Sequence, residues 1–145
     1  MSQKIGQIGE QVLSQWLIAQ AWQILAQNWH CSWGELDLIA QTPAGVVAFI
    51  EVKTRQSQSL DQGGLMAITP AKQRKIIHTA QLFLEQYPDY AALPCRFDVA
   101  LVQYQSITNA QNFYLPLPTP GLEFLGQRGP YRFFLLDYLT DAFTP

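Results

Sequence analysis

The sequence predicts an α/β fold: one domain spanning 1–145, with a central mixed sheet of four to five strands flanked by helices. Three observations predict it. Apolar residues at helical spacing open the chain, two strand-like runs flank Thr42-Pro43-Ala44-Gly45, and a helix-length stretch introduced by Thr69-Pro70 precedes a further strand-like run.

From about Ile5 to Gln20, the residues Ile5, Ile8, Val12, Leu13, Trp16 and Leu17 keep the i, i+3, i+4, i+7 spacing of an amphipathic helix. Gln7, Gln11, Gln15 and Gln20 fall on the other side. Glu10 lies beside the apolar stripe, and on position alone it reads as a solvated first-turn acid that favours the helix dipole. Trp22 to Trp29 follows as a first strand, with Ile24, Ala26 and Asn28 alternating against Leu25.

Gly34 to Ala40 and Val46 to Arg55 then form a β-hairpin about the Pro-Gly turn, and both runs carry acids where a buried strand should carry none. With the turn centred on Ala44, Asp37 and Glu51 become cross-strand partners on one face, roughly 4.5–5.5 Å apart at Cβ. Lys53, two residues beyond Glu51, shares that face. Glu35 falls opposite Lys53 and reads as a salt-bridge partner. Gln56 to Gly64 is polar, with a Gly63-Gly64 pair, and predicts a mobile loop. Thr69 is the expected N-cap and Pro70 the first residue of a second helix, whose apolar face is Ile76, Ile77, Ala80, Phe83, Leu84 and Tyr87, and which Pro88 closes.

Arg96 to Val102 is a further strand introduced by Pro94. Beyond Gln103 the signal weakens, and 103–130 is expected to be an irregular insertion. Within it Asn112 to Leu117 could be a strand, while Pro116, Pro118, Pro120, Gly121, Gly126 and Gly129 make 116–130 irregular. Tyr131 to Leu136 reads as a last strand, and Leu139 to Phe143 as a short terminal turn.

Composition bounds the function. The chain has 145 residues, 48% hydrophobic and only 14% charged, which is globular and enough for a core of its own. A net charge of −2 excludes polyanion binding through overall charge, so any such binding needs a local patch. Cys31 and Cys95 follow neither metal nor disulfide spacing. No early segment joins a basic start to an apolar centre, and no stretch approaches about 18 apolar residues. The expected location is the cytoplasm, with no membrane partner.

Two carboxylates held together repel, and half-burying them is unfavourable unless positive charge intervenes. A divalent cation is the usual answer, and hard oxygen ligands suit Mg2+ or Mn2+. His30 and Cys31 are neighbours on a strand and point to opposite faces, so zinc is not expected. Lys53 could orient or deprotonate a water, or stabilise charge as a cation; both roles stay open. Five of the nine Lys and Arg residues, namely Lys53, Arg55, Lys72, Arg74 and Lys75, lie between positions 53 and 75, where Asp61 is the only acid. That local field is suited to a phosphate backbone.

Gly34-Glu35-Leu36-Asp37, Phe49-Ile50-Glu51-Val52-Lys53-Thr54-Arg55 and Arg96-Phe97-Asp98 closely resemble the YraN-like family of small bacterial proteins. The resemblance runs from Gly6-Gln7-Ile8-Gly9-Glu10 to about Val102, and resumes at Asp141-Ala142-Phe143. That family looks like a branch of the PD-(D/E)xK nuclease superfamily, which implies a restriction-endonuclease-like fold. Carried over by position, it implies Asp37, Glu51 and the Val52 carbonyl as metal ligands and Lys53 as the catalytic lysine. By similarity to archaeal Holliday-junction resolvases it brings Glu10 into the site, reversing the reading from position alone. Lys72 matches a basic residue on the helix after the active-site strands, and Arg96 with Asp98 a structural ion pair. The implied activity is Mg2+- or Mn2+-dependent endonucleolytic hydrolysis of DNA, with branched or structured DNA as a candidate substrate. A catalytically inactive nucleic-acid-binding module of the same fold is the alternative, and a structural partner protein the third reading. Two symmetric cuts in branched DNA would call for a homodimer, with Tyr131-Arg132-Phe133-Phe134 as its surface if exposed.

Overall fold

The computed structural model describes residues 4–56, 68–107 and 122–145. Helix α1 (Ile5–Ala19) is followed by strands β1 (Gln23–Cys31), β2 (Gly34–Gln41) and β3 (Val47–Gln56). Helix α2 (Pro70–Gln86) and the single turn α3 (Pro88–Ala91) lead into β4 (Cys95–Ser106), β5 (Glu123–Arg128) and β6 (Tyr131–Phe143). The strands form one open sheet of six, in the order β1-β2-β3-β4-β6-β5. All neighbours are antiparallel except β3 and β4, whose parallel pairing requires the crossover that α2 supplies.

The alternating side chains of β3 divide the core into two layers. Ala48, Ile50 and Val52 pack with Val12, Leu13 and Leu17 of α1, while Val47 and Phe49 pack with Ile76, Ala80 and Phe83 of α2. Hence β3 is apolar on both faces up to Glu51, as expected for a strand with a helix over each side. Helix α2 starts where its cap predicts: the Thr69 hydroxyl accepts the Lys72 N–H at 3.2 Å, and Pro70 is the first helical residue. It ends at Gln86, and Pro88 opens α3 rather than closing α2. At the start of α1, a Cβ on Gly9 would overlap Thr54 Oγ1 and crowd both other Thr54 side-chain atoms. Rotation of the threonine therefore offers no relief, and only glycine allows the helix this close to β3.

Several sequence expectations are corrected. Among the described residues the sheet has six strands, not four to five, because the C-terminal part contributes two strands beyond β4. Residues 123–128 are strand rather than irregular, and Tyr131 to Phe143 is one continuous strand with no terminal turn. The alternation along β6 is hidden by register shifts against β4, between Phe97 and Val99 and between Leu101 and Val102. A similar shift between Ile24 and Ala26 turns Leu25 and Ala26 towards the α2 layer while Ile24 faces α1, so β1 does not alternate as predicted. Within the expected dimer stretch Phe133 and Phe134 are 0% and 2% exposed, so only Tyr131 and Arg132 reach the surface in part. Residues 57–64 of the predicted loop and the predicted strand Asn112 to Leu117 lie outside the described residues.

Arg96 and Asp98 form the predicted ion pair, Nε to Oδ1 at 3.0 Å, and the structure adds two further bonds. Tyr138 Oη donates to Asp98 Oδ2 at 2.5 Å, and the Asp141 N–H donates to Oδ1 at 2.9 Å. Asp98 is fully buried, and Asp141 sits at φ 55, inside the β6 irregularity. The carboxylate thus holds that irregularity against β4. Burial and the Asp98 charge push the Tyr138 hydroxyl well above the ordinary tyrosine range, so it remains a donor.

Candidate functional site

The site lies where β2 and β3 part. Their pairing runs from Gln41↔Val47 to Leu38↔Ile50, the register expected for a turn centred on Ala44. Beyond that rung β2 continues along β1 to Gly34, and β3 continues along β4 to Gln56↔Tyr104. Asp37 and Glu51 are the next residues past the last rung. In the fork, a side chain replaces the missing backbone partner: Asp37 Oδ2 accepts the Val52 N–H at 2.9 Å.

The structure brings Asp37, Glu51, Lys53 and Lys72 together at the fork, with Glu10 near enough for its charge to act on Asp37. Asp37 and Glu51 stand close enough for the Glu51 charge to act directly on the Asp37 carboxyl. Lys53 Nζ lies 3.8 Å and Lys72 Nζ 3.2 Å from Glu51 Oε1. Glu10, delivered by α1, is 9% exposed, and its Oε1 is buried with no hydrogen-bond partner. The solvated position read from the helical wheel is therefore wrong for Glu10. The Gly9–Thr54 contact brings that part of α1 close to the sheet, and this tight approach removes the carboxyl from water.

Electrostatics follow from this crowding. Burial first, then the Glu51 charge, push Asp37 from an ordinary 3.8 to about 8, against the opposing Val52 hydrogen bond. Burial, with Glu35 and Glu51 nearby, raises Glu10 from 4.5 to about 7. Burial also lowers Lys53, helped by the nearby Lys72 and its charge. Burial opposes the charge on Lys72, but contacts with Lys53 and Glu51 carry its pKa upward. Lys53 is thus the amine of the pair more readily deprotonated.

This has a measurable consequence. In the fold Asp37 and Glu10 keep protons at pH values where the unfolded chain has lost them, so the folded state binds more protons. Metal-free protein should therefore lose stability as pH rises from 3.8, through about 7 for Glu10, to about 8 for Asp37. Thermal unfolding in EDTA across that window should show the loss, and Asp37→Asn should flatten it. Equal slopes for the two proteins would contradict the placement of Asp37.

The other predicted basic residues are arranged differently. Lys72 belongs to the carboxylate cluster rather than to a separate phosphate-binding edge. Arg74 and Lys75 lie exposed on the first turns of α2, and Arg55 is exposed near the end of β3. Glu35 makes no ion pair with Lys53 among the described residues; its charge acts on Glu10 instead. Sequence reasoning missed Asn28, whose side chain lies near Glu10 and favours its charged form. Its φ of 51 is a conformation asparagine tolerates better than most residues, and an Asn inside an apolar strand was the available signal. His30 and Cys31 have no part in the cluster, and Cys31 is a free thiol.

Among the described residues, no group of three or more His, Cys, Asp or Glu side chains is gathered closely enough to hold a metal as it stands. The donor chemistry nevertheless fits a hard cation. Asp37, raised to about 8, Glu51 beside it and an unpartnered buried Glu10 oxygen are hard oxygen donors, and a cation would favour their ionised forms.

The model of the uncharacterised protein family UPF0102 matches residues 9–102, the span holding most of α1, the fork and α2. The chain belongs to the UPF0102 family. A UPF0102 protein of Acaryochloris marina is 44% identical over 156 residues, covering 97% of this chain and 90% of the relative. One from Synechococcus sp. (strain JA-3-3Ab) is 46% identical, covering 97% and 92%. A UPF0102 protein of Thermosynechococcus vestitus reaches 59% identity over 101 residues, 70% of this chain and 82% of the relative. Among the described residues of this UPF0102 chain, no helix is long and apolar enough to cross a membrane.

Proposed function

We propose that this UPF0102 protein is a Mg2+- or Mn2+-dependent endonuclease that hydrolyses phosphodiester bonds in DNA, branched or structured DNA included. The observation that carries this reading is the Asp37–Glu51 fork, with Lys53 Nζ 3.8 Å from Glu51 Oε1 and the buried Glu10 near enough for its charge to act on Asp37. A mixed sheet with helices over its faces and acids at a strand fork is compatible with a restriction-endonuclease-like, PD-(D/E)xK assignment.

Asp37 and Glu51 would hold the cation, with the Val52 carbonyl and Glu10 as further oxygen donors. When bound, such a cation supplies positive charge for activating water and for stabilising a phosphoryl oxygen. Lys53 has its pKa lowered by burial and by Lys72, and a cation alongside would lower it further. That favours Lys53 as a group that takes a proton from water over one that serves as a fixed charge. Arg55, Arg74 and Lys75 would attract and position the phosphate backbone.

One observation favours the alternative, a catalytically inactive nucleic-acid-binding module. The Lys72 ammonium lies 3.2 Å from Glu51 Oε1 and neutralises part of the cluster from within. A panel of duplex, single-stranded, flapped and four-way-junction DNA with Mg2+ separates the two readings. Cleavage that EDTA abolishes supports the nuclease. Salt-sensitive binding without cleavage, surviving Glu51→Ala, supports the module.

A further inference from the structure

Trp33 is the second residue of the two-residue Ser32-Trp33 turn between β1 and β2, and it is 59% exposed, the most exposed of the large hydrophobic residues described. Its place is held from two sides. A Cβ on the next residue, Gly34, would stand 3.0 Å from Thr79 Oγ1, so the turn rests directly on α2. The Trp33 ring meets His78 edge-on, with centroids 5.0 Å apart.

Between the turn and α2 lies an open groove of about 680 Å³, lined by Trp33, Ala71, Lys72, Arg74, Lys75 and His78. None of these residues is acidic. The groove adjoins the carboxylate cluster, because the Lys72 on its wall is the residue that reaches Glu51. An exposed indole among cations, at a fixed turn, matches a ligand with a flat π-face and a negative backbone. In a duplex the base faces are covered by their neighbours in the stack, so only an unpaired base could use Trp33.

We infer that this groove binds an unpaired nucleotide of single-stranded nucleic acid, its base stacked on Trp33 and its phosphate held by Arg74 and Lys75. The inference deepens the proposed function by naming the substrate class, and it rests on nucleic acid being the ligand there. A strand so held would run from the groove towards Lys72 and the fork, which orders single-stranded segments or unpaired branches at the reactive cluster.

The test uses the full chain in EDTA, so that binding is read without cleavage. Fluorescence anisotropy is followed with a short oligothymidylate, the matching oligouridylate and a blunt duplex of equal length. Trp33→Ala should weaken the better single-strand probe by about tenfold or more, as expected for loss of one stacked base, and leave duplex binding within about twofold. Trp33→Phe should restore most of the affinity, and the two single-strand arms distinguish DNA from RNA. Three results would overturn the inference: unchanged single-strand binding in Trp33→Ala, equal loss for single strand and duplex, or no binding of any probe. Because no metal is present, the outcome is independent of the nuclease reading. Trp33-dependent binding without cleavage in Mg2+ leaves this site standing and removes the nuclease, whereas cleavage with Trp33-independent binding does the reverse.

Discussion

Lys53→Ala is expected to lower the rate of Mg2+-dependent DNA cleavage by about 10²–10⁴-fold, the range for losing a positioned general base, with DNA affinity nearly unchanged. Its amine lies 3.8 Å from Glu51 Oε1 and is half-buried beside Lys72. Asp37→Ala should be at least as damaging, because it removes a cation donor and frees the Val52 N–H that the carboxylate holds at 2.9 Å. Lys53→Arg separates the two roles of the lysine. Arginine keeps the charge but cannot release a proton at working pH, so it should fail nearly as completely as alanine. Initial rates on whichever DNA of the panel is cut fastest give the comparison. A Lys53→Ala rate close to wild type would remove the lysine from the chemistry, and an active Lys53→Arg would make it a fixed cation.

Asp98→Ala should destabilise the fold by about 3–5 kcal/mol, the magnitude for breaking a buried ion pair from one side. The fully buried carboxylate serves Arg96, Tyr138 and the Asp141 N–H together, and alanine leaves all three without it. The effect should reach the site, since Asp98 pairs in register with Ile50, the neighbour of Glu51. Urea denaturation of wild type, Asp98→Ala and Asp98→Asn measures it. Asparagine keeps one acceptor and should fall between the other two, whereas a loss below about 1 kcal/mol for alanine, the size of one ordinary hydrogen bond, would show that the network does not hold the β6 irregularity.

Much of the fork was legible because hairpin register is simple arithmetic. Pro43 and Gly45 mark the turn, and counting outward from Ala44 gives the observed register, but Asp37 and Glu51, expected as cross-strand partners, lie one step past its last rung and are not paired. The Thr69-Pro70 start of α2 was legible for the same local reason. What a count along the strands could not show was that the strands separate there, since this depends on β1 and β4 drawing β2 and β3 apart. Glu10 was misread from its helical position because its burial comes from the Gly9–Thr54 approach, a contact between elements far apart in sequence. Lys72 was legible as a cation but not as a partner of Glu51, because the crossover that delivers it carries little pattern. β5 and β6 were obscured by their glycines and by shifts in register, each of which breaks the period of two that marks a strand. Trp33 carried a signal that went unused: a large aromatic in a two-residue turn has little room for burial.

The central claim is that the Asp37–Glu51 pair takes a divalent cation, and calorimetric titration of Mn2+ into the metal-free full chain tests it most directly. At pH 8, where Asp37 is near half-ionised without metal, wild type should bind Mn2+ specifically and release protons on binding. Asp37→Asn and Glu51→Gln should each lose that binding while remaining folded by circular dichroism. Undiminished Mn2+ binding in both variants, or none in the wild type, would contradict the account.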